Sequence, residues 1–272
     1  MRKKRVIPGY GISLGITLTF LSAIILVPLA ALFIKAAGLG PSQWIEILGS
    51  PRVLAAFRLT FGASAAAAAV SSVFGLLVAW VLVRYRFPGR RLLDGMVDLP
   101  FALPTAVAGI TLAQLYGPNG WIGEKLAAVG IQGAYSPLGV FIALTFISFP
   151  FVVRTVQPVL EDMSPELEEA AASLGAKRFT TFRRVILPTL FPAVLTGFTL
   201  AFARAIGEYG SVVFISGNLP FNTEILPLLI IGQLEQFNYA AAAVIAAAML
   251  VVSFALLFVI NLLQRRIAAR AH

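Results

Sequence analysis

Six long apolar runs, separated by short clusters of arginine and lysine, constrain this chain more than any other feature. They cover about residues 12–34, 59–83, 96–116, 138–158, 190–215 and 240–263. A helix needs about 20 consecutive apolar residues to cross a bilayer, and each run meets that length. Of the 272 residues, 59% are apolar and only 12% charged. A soluble domain carries about 25% charged residues. The pattern predicts an all-α membrane protein with six transmembrane helices. It excludes a secreted disulfide scaffold, a disordered chain and a soluble enzyme. There is no cysteine, and the only histidine is the last residue, His272. Thiolate metal sites, redox pairs and imidazole catalysis are therefore set aside, and no metal site is expected.

The net charge of +9 is distributed unevenly. Arg2, Lys3, Lys4 and Arg5 precede the first run; Arg84, Arg86, Arg90 and Arg91 follow the second. Lys177, Arg178, Arg183 and Arg184 precede the fifth, and Arg265, Arg266 and Arg270 follow the sixth. The opposite side carries Lys35, Arg52, Arg58 and Lys125. Basic residues collect in cytoplasmic loops, so both termini are predicted to be cytoplasmic. This asymmetry accounts for the charge without nucleic acid. The first run exceeds the 7–15 residues of a signal-peptide core and is read as a retained span.

Within this frame, 1–57 is the basic tail, first span and outer loop. Residues 58–263 form a five-span core, and 264–272 a basic tail. The loop at 35–57 is expected to hold a short interfacial helix with Trp44. Alanines 65–69 suit close helix packing. Pro100, Pro104 and Gly109 interrupt the third run, and Pro150 falls inside the fourth. The segment 216–239, with an apolar stretch too short to span, reads as an outer gate helix, a contact for an outer protein or an interfacial loop.

The cytoplasmic stretch 161–188 carries the most information. Ser164 suits a helix N-cap and Pro165 the first helical position. Glu166, Glu168 and Glu169 favour the positive end of the helix dipole, and Gly175 the turn after it. Phe179, Phe182, Val185 and Ile186 then recur at helical spacing, and Pro188 leads into the fifth span. The prediction is a helix–turn–helix on the cytoplasmic face.

Glu169-Ala170-Ala171, three residues, Gly175, nine residues, then Val185-Ile186-Leu187-Pro188 resembles the EAA loop of importer permeases of the ATP-binding-cassette (ABC) class. Val185 departs from the isoleucine of that pattern. Arg84 to Arg90, Asp98 to Gly109, Pro150 to Pro158 and Arg204 to Gly210 extend the likeness, which is similar to the CysT-type family of sulfate/thiosulfate permeases. The resemblance implies the type I ABC importer permease fold in the inner membrane of a bacterium. It also implies that Glu169, Ala170, Ala171, Gly175, Val185, Leu187 and Pro188 form the loop that docks on a separate ATPase.

The chain has no Gly-x-x-x-x-Gly-Lys-Ser/Thr sequence, so no phosphate-binding loop is expected and no cofactor for this chain. ATP and magnesium would be used by an ATPase pair. The other implied partners are a second, similar permease, forming a heterodimer, and a periplasmic sulfate/thiosulfate-binding protein. Other readings are a molybdate or other oxyanion importer, or a proton-coupled anion transporter using Glu208. A membrane enzyme lacks the clustered acids and histidines it would need.

Ionisable residues inside spans are costly and point to a pathway or an internal pair. Asp98, Arg154, Arg204 and Glu208 are the candidates. Arg204 and Glu208 lie four apart, as a self-neutralising pair or as gate residues; Arg204 suits oxyanion contact through its fork of donors. Asp98 is expected to pair with Arg90 or Arg91. Thr105 and Thr111 are path candidates, and Pro100 and Pro104 are expected to kink the third span, with Pro104 a gate candidate.

Overall fold

The computed structural model of the protein describes residues 10–164 and 166–268. The basic tails 1–9 and 269–272, and Pro165, lie outside the described residues. Thirteen helices are found among the described residues. The first, α1 (Tyr10–Ala37), is followed by a short α2 (Pro41–Gly49) and the long α3 (Pro51–Arg84). Three short pieces come next: α4 (Arg90–Val97), α5 (Leu99–Ala102) and α6 (Thr105–Tyr116). After α7 (Gly123–Ala128) the chain enters the long α8 (Pro137–Asp162). The cytoplasmic α9 (Glu166–Ser173) leads into α10 (Arg178–Ile206). Short helices α11 (Val212–Ser216) and α12 (Leu226–Glu235) precede α13 (Tyr239–Ala268).

Five of these, α1, α3, α8, α10 and α13, are long and apolar enough to cross a membrane. The expected third span differs. It is not one helix but the three pieces α4, α5 and α6. Leu103 is extended (φ −83°, ψ 135°) because it precedes Pro104, whose ring excludes the helical region there. The 12 residues of α6 rise only about 18 Å, short of the hydrocarbon core. The chain must nevertheless cross between α3 and α8. Arg84, the last residue of α3, meets Met163 and Glu168, just beyond the end of α8, so both helices finish on one side.

Two further boundaries depart from expectation. The short helix expected with Trp44 in the loop 35–57 is α2, and Trp44 Nε1–H donates to the Ala36 carbonyl at 3.0 Å, but the second span starts inside that loop. Helix α3 then begins at Pro51, capped by Ser50 Oγ, which accepts from the Val53 N–H at 3.4 Å. At the other end, the fifth span does not reach residue 215. It stops at Ile206, with Gly207 leaving the helical path before α11. Pro188 leads into this span without interrupting the helix. The turn before it, Phe182–Ile186, opens to π geometry, with the Leu187 N–H donating to the Phe182 carbonyl. The same device precedes Pro28, where Ser22–Leu26 widens and the Val27 N–H donates to Ser22. A wide turn relieves the clash of a proline ring with the carbonyl four residues back, so the helix continues.

The core is the triple packing of α3, α8 and α10. In lipid, helices associate through close contact of small residues rather than through the hydrophobic effect. Gly75 on α3 and Gly197 on α10 both lie against Val152 on α8. A Cβ at Gly75 would come within 2.8 Å of Val152 Cγ1, and one at Gly197 within 3.0 Å of its Cα. Ala67 and Ala68, in the alanine run, are fully buried. By contrast α1 buries only Ala36, near its end, where Leu32 and Ala36 meet Ala243, Val244 and Ala247 of α13. Ile12, Ile16, Phe20 and Ile24 stay exposed, as befits a helix facing lipid.

Candidate functional site

The cytoplasmic loop forms a helical hairpin. Ser164 Oγ accepts from the Glu166 N–H at 3.2 Å, capping α9, and Glu166, Glu168 and Glu169 fill its first turn. At its end the Ala176 N–H donates to the Ala171 carbonyl and the Gly175 N–H to Ala172. Gly175 has φ +80°, and these bonds close the left-handed turn that favours glycine. Nothing lies within 4 Å of where its Cβ would be, so the backbone angle, not space, demands glycine.

Ala171 is buried, while Glu169 and Ala170 are exposed. Leu174 and Phe179 are also exposed, at 89% and 72%. Phe179 therefore does not share the inward face of Phe182 and Ile186. Val185 and Leu187 lie half-buried where the second helix joins α10, and Pro188 is exposed. The hairpin thus presents small, acidic and apolar groups outward on the side that carries the basic residues.

The candidate path residues fall into two groups. Arg154 of α8 is engaged on every side. Its Nε and Nη2 donate to Asp98 Oδ1 and Oδ2 at 2.8 and 2.6 Å. Its Nη1 donates to Asp94 Oδ1 at 2.6 Å and Gln157 Oε1 at 2.7 Å, and Nη2 also reaches the Asp94 carbonyl at 2.8 Å. Asp98 is therefore paired with Arg154, not with Arg90 or Arg91. The partner lies across the helix interface because Asp94 and Asp98, four apart, present one carboxylate face to α8. A fork-to-fork pair of this kind has a fixed geometry. It fastens the broken third span to α8.

In the second group Arg204 and Glu208 form the expected pair, at 2.6 Å. Glu208 is only 2% exposed, and its Oε1 also accepts from the Ser211 N–H and Oγ–H at 2.8 and 2.9 Å. It sits past the end of α10, so the pair closes the helix terminus rather than running along a helical face. The turn it stabilises presses on the start of α6. A Cβ at Gly109 would collide with the Ser211 backbone, and one at Gly210 with Thr105 Oγ1. Thr105 thus borders the Arg204–Glu208 turn, and Pro104 directly precedes it at the start of α6. Thr111 is not brought there: its Oγ–H donates to the Val107 carbonyl at 2.9 Å.

Segment 216–239 is neither loose nor merely interfacial. Glu224, 3% exposed, accepts from Arg52 Nε and Nη2 at 2.7 Å, and the Leu226 N–H donates to Thr60 Oγ1 at 2.8 Å. Helix α12 then buries Leu226, Leu228 and Leu229. Sequence reading missed Asp94, Gln157 and Ser211 as partners. Only the Asp94/Asp98 spacing carried a signal for them.

The fold and the cytoplasmic hairpin define a membrane permease subunit of an ABC importer, a multi-pass inner-membrane chain that leaves ATP hydrolysis to another subunit. The chain belongs to the family of binding-protein-dependent transport system inner membrane components, whose model matches residues 71–271. Among curated relatives, the sulfate transport system permease protein CysT of Salmonella typhimurium is 50% identical over 267 residues, 98% of this chain and 96% of that one. A probable sulfate transport system permease protein cysT of Nephroselmis olivacea is 53% identical over 250 residues, 92% and 88% of the two chains. A bacterial alginate ABC transporter, solved in complex with alginate pentasaccharide-bound periplasmic protein, has a similar fold. Its TM-score is 0.76 at 19% identity, covering 95% of this chain and 94% of that one. An inward-facing MetNI methionine ABC transporter gives 0.54 at 21% identity, covering 82% and 99%.

Proposed function

We propose that this chain is the permease subunit that carries sulfate, and thiosulfate with it, across the inner membrane in an ATP-driven importer. The observation that carries the reading is 50% identity over 98% of the chain to a protein named as a sulfate transport permease. A periplasmic binding protein delivers the anion. A second, similar permease completes the path as a heterodimer, and a pair of ATPase subunits uses ATP and magnesium. The hairpin at Glu169, Ala170, Ala171, Gly175, Val185, Leu187 and Pro188 docks on one ATPase. ATP binding draws the two loops together and turns the path outward; hydrolysis returns it inward.

Sulfate is a hydrated dianion and needs polar contacts that are weak enough to release it. Arg204 is the candidate contact, half neutralised by Glu208 and therefore unsuited to holding the anion tightly. Thr105, against the Gly210 turn, and Pro104 just before it form the candidate gate. Arg154 and Asp98 line the inner end of the path while fixing its broken helix.

The test is reconstitution of the complex in liposomes, with radiolabelled sulfate and purified binding protein. Uptake that requires ATP, survives a protonophore and falls with excess unlabelled sulfate or thiosulfate is the expected result. Uptake driven by a proton gradient without ATP, or a complex that takes up labelled molybdate but no sulfate, overturns it.

A further inference from the structure

We propose that Arg84, with Trp80 one turn before it, is a positioning residue that ties the coupling hairpin to α3. Displacement of the hairpin is thereby passed to a helix that does not adjoin it in the sequence. The inference rests on the importer reading above. The hairpin joins the membrane core covalently at two places only: Asp162 ends α8, and Ile186 runs on into α10. Helix α3 ends at Arg84, far away in sequence, and meets the hairpin through side chains.

Four observations converge on those two residues of α3. Arg84 Nη2 lies 2.8 Å from Glu168 Oε1 in α9. The same nitrogen donates to the Met163 carbonyl, at the start of the hairpin, at 3.5 Å. The guanidinium sits 5.8 Å from the centroid of the Trp80 ring. Trp80 in turn meets Phe182, in the second arm, edge to face at 5.8 Å. Entry, first helix and second arm of the hairpin thus all touch one turn of α3.

The ion pair is not an aligned hydrogen bond, since Glu168 Oε1 and Arg84 Nε lack hydrogen-bond partners. It acts as charge against charge, partly screened: the side chains are 20% and 34% exposed. The ring beneath Arg84 adds attraction and fixes the direction of the guanidinium. The alternative tie is weak, because α9 buries only Ala171. A hairpin held at α8 and α10 alone is free to hinge about the line joining them. A third point on α3 removes that freedom. Glu168 precedes the Glu169-Ala170-Ala171 sequence, so this contact leaves the docking face open.

The experiment measures sulfate transported per ATP hydrolysed by the whole importer in liposomes, with binding protein present. Arg84→Glu and Glu168→Arg are each expected to lower that ratio roughly three- to fivefold, the scale of a pair reinforced by an aromatic ring. The double variant, with the charges exchanged, is expected to recover at least about half of the loss. Trp80→Leu keeps apolar bulk and is expected to lower the ratio about twofold, which provides a reading even where a charge reversal prevents assembly. Unchanged ratios in the single variants, or a double variant no better than the worse single, overturn the proposal. A wild-type complex without ATP-dependent sulfate uptake overturns the importer reading instead, so the two failures are distinguishable.

Discussion

Arg154 uses its donors on two aspartates, a glutamine and a backbone carbonyl, and this decides what it contributes. A guanidinium held by both Asp94 and Asp98 is not a free anion trap at the inner mouth. It is a clamp between α8 and the broken third span, with some oxyanion attraction cancelled. Both carboxylates are partly exposed, at 39% and 48%, so each alone contributes modestly. Asp94→Asn and Asp98→Asn are each expected to cost about 1 kcal/mol. Because they share one partner, the double variant is expected to cost more than the sum by at least about 0.5 kcal/mol, since it leaves the guanidinium without a counter-charge. Thermal unfolding of the purified complex in detergent reads all four species. Strict additivity contradicts the shared clamp.

At the scale of elements, Gly175 ends α9 with φ +80° and open space around its Cβ position. Any non-glycine residue there pays for the angle and not for a clash. Gly175→Asn, which tolerates the left-handed region, is expected to keep most of the ATP-dependent transport. Gly175→Val, β-branched, carries about 1–2 kcal/mol of strain and is expected to uncouple hydrolysis from uptake. Equal behaviour of the two variants contradicts the conformational argument. This hairpin was the most legible element in the sequence, because capping, charge order and the glycine turn are local signals. Its limit shows at Pro188. Pro188 leads into the fifth span as expected, but the widened turn over Phe182–Ile186 that carries the helix through it has no signal in the sequence. The third span was half legible. Pro104 marks the break, but the division into three pieces follows from local backbone geometry that a hydropathy average blurs. The partners of Asp98 and Glu224 were not legible at all. They lie 56 and 172 residues away, and no local pattern encodes them.

At the scale of the whole molecule, orientation follows from charge asymmetry and is carried by the helix ends. Arg84, Met163 and Glu168 meet on one side, and Arg52 and Glu224 meet near the start of α3, at the other end of that 34-residue helix. The helix rises about 51 Å, more than the hydrocarbon thickness, so its two ends are held in opposite aqueous layers. Arg84 ends α3 and three more arginines follow closely, and four basic residues lie in the hairpin, which sets that side in the cytoplasm. The chain contains no cysteine, so single introduced thiols report position without background. Lys125→Cys, in α7 before α8 begins, is expected to react with a membrane-impermeant maleimide in intact spheroplasts. Lys177→Cys, between the two arms of the hairpin, is expected to react only after permeabilisation. The reverse pattern inverts the protein and removes the hairpin from any cytoplasmic ATPase. Labelling of both sites from outside contradicts the crossing by α8, the helix that lies between the two positions.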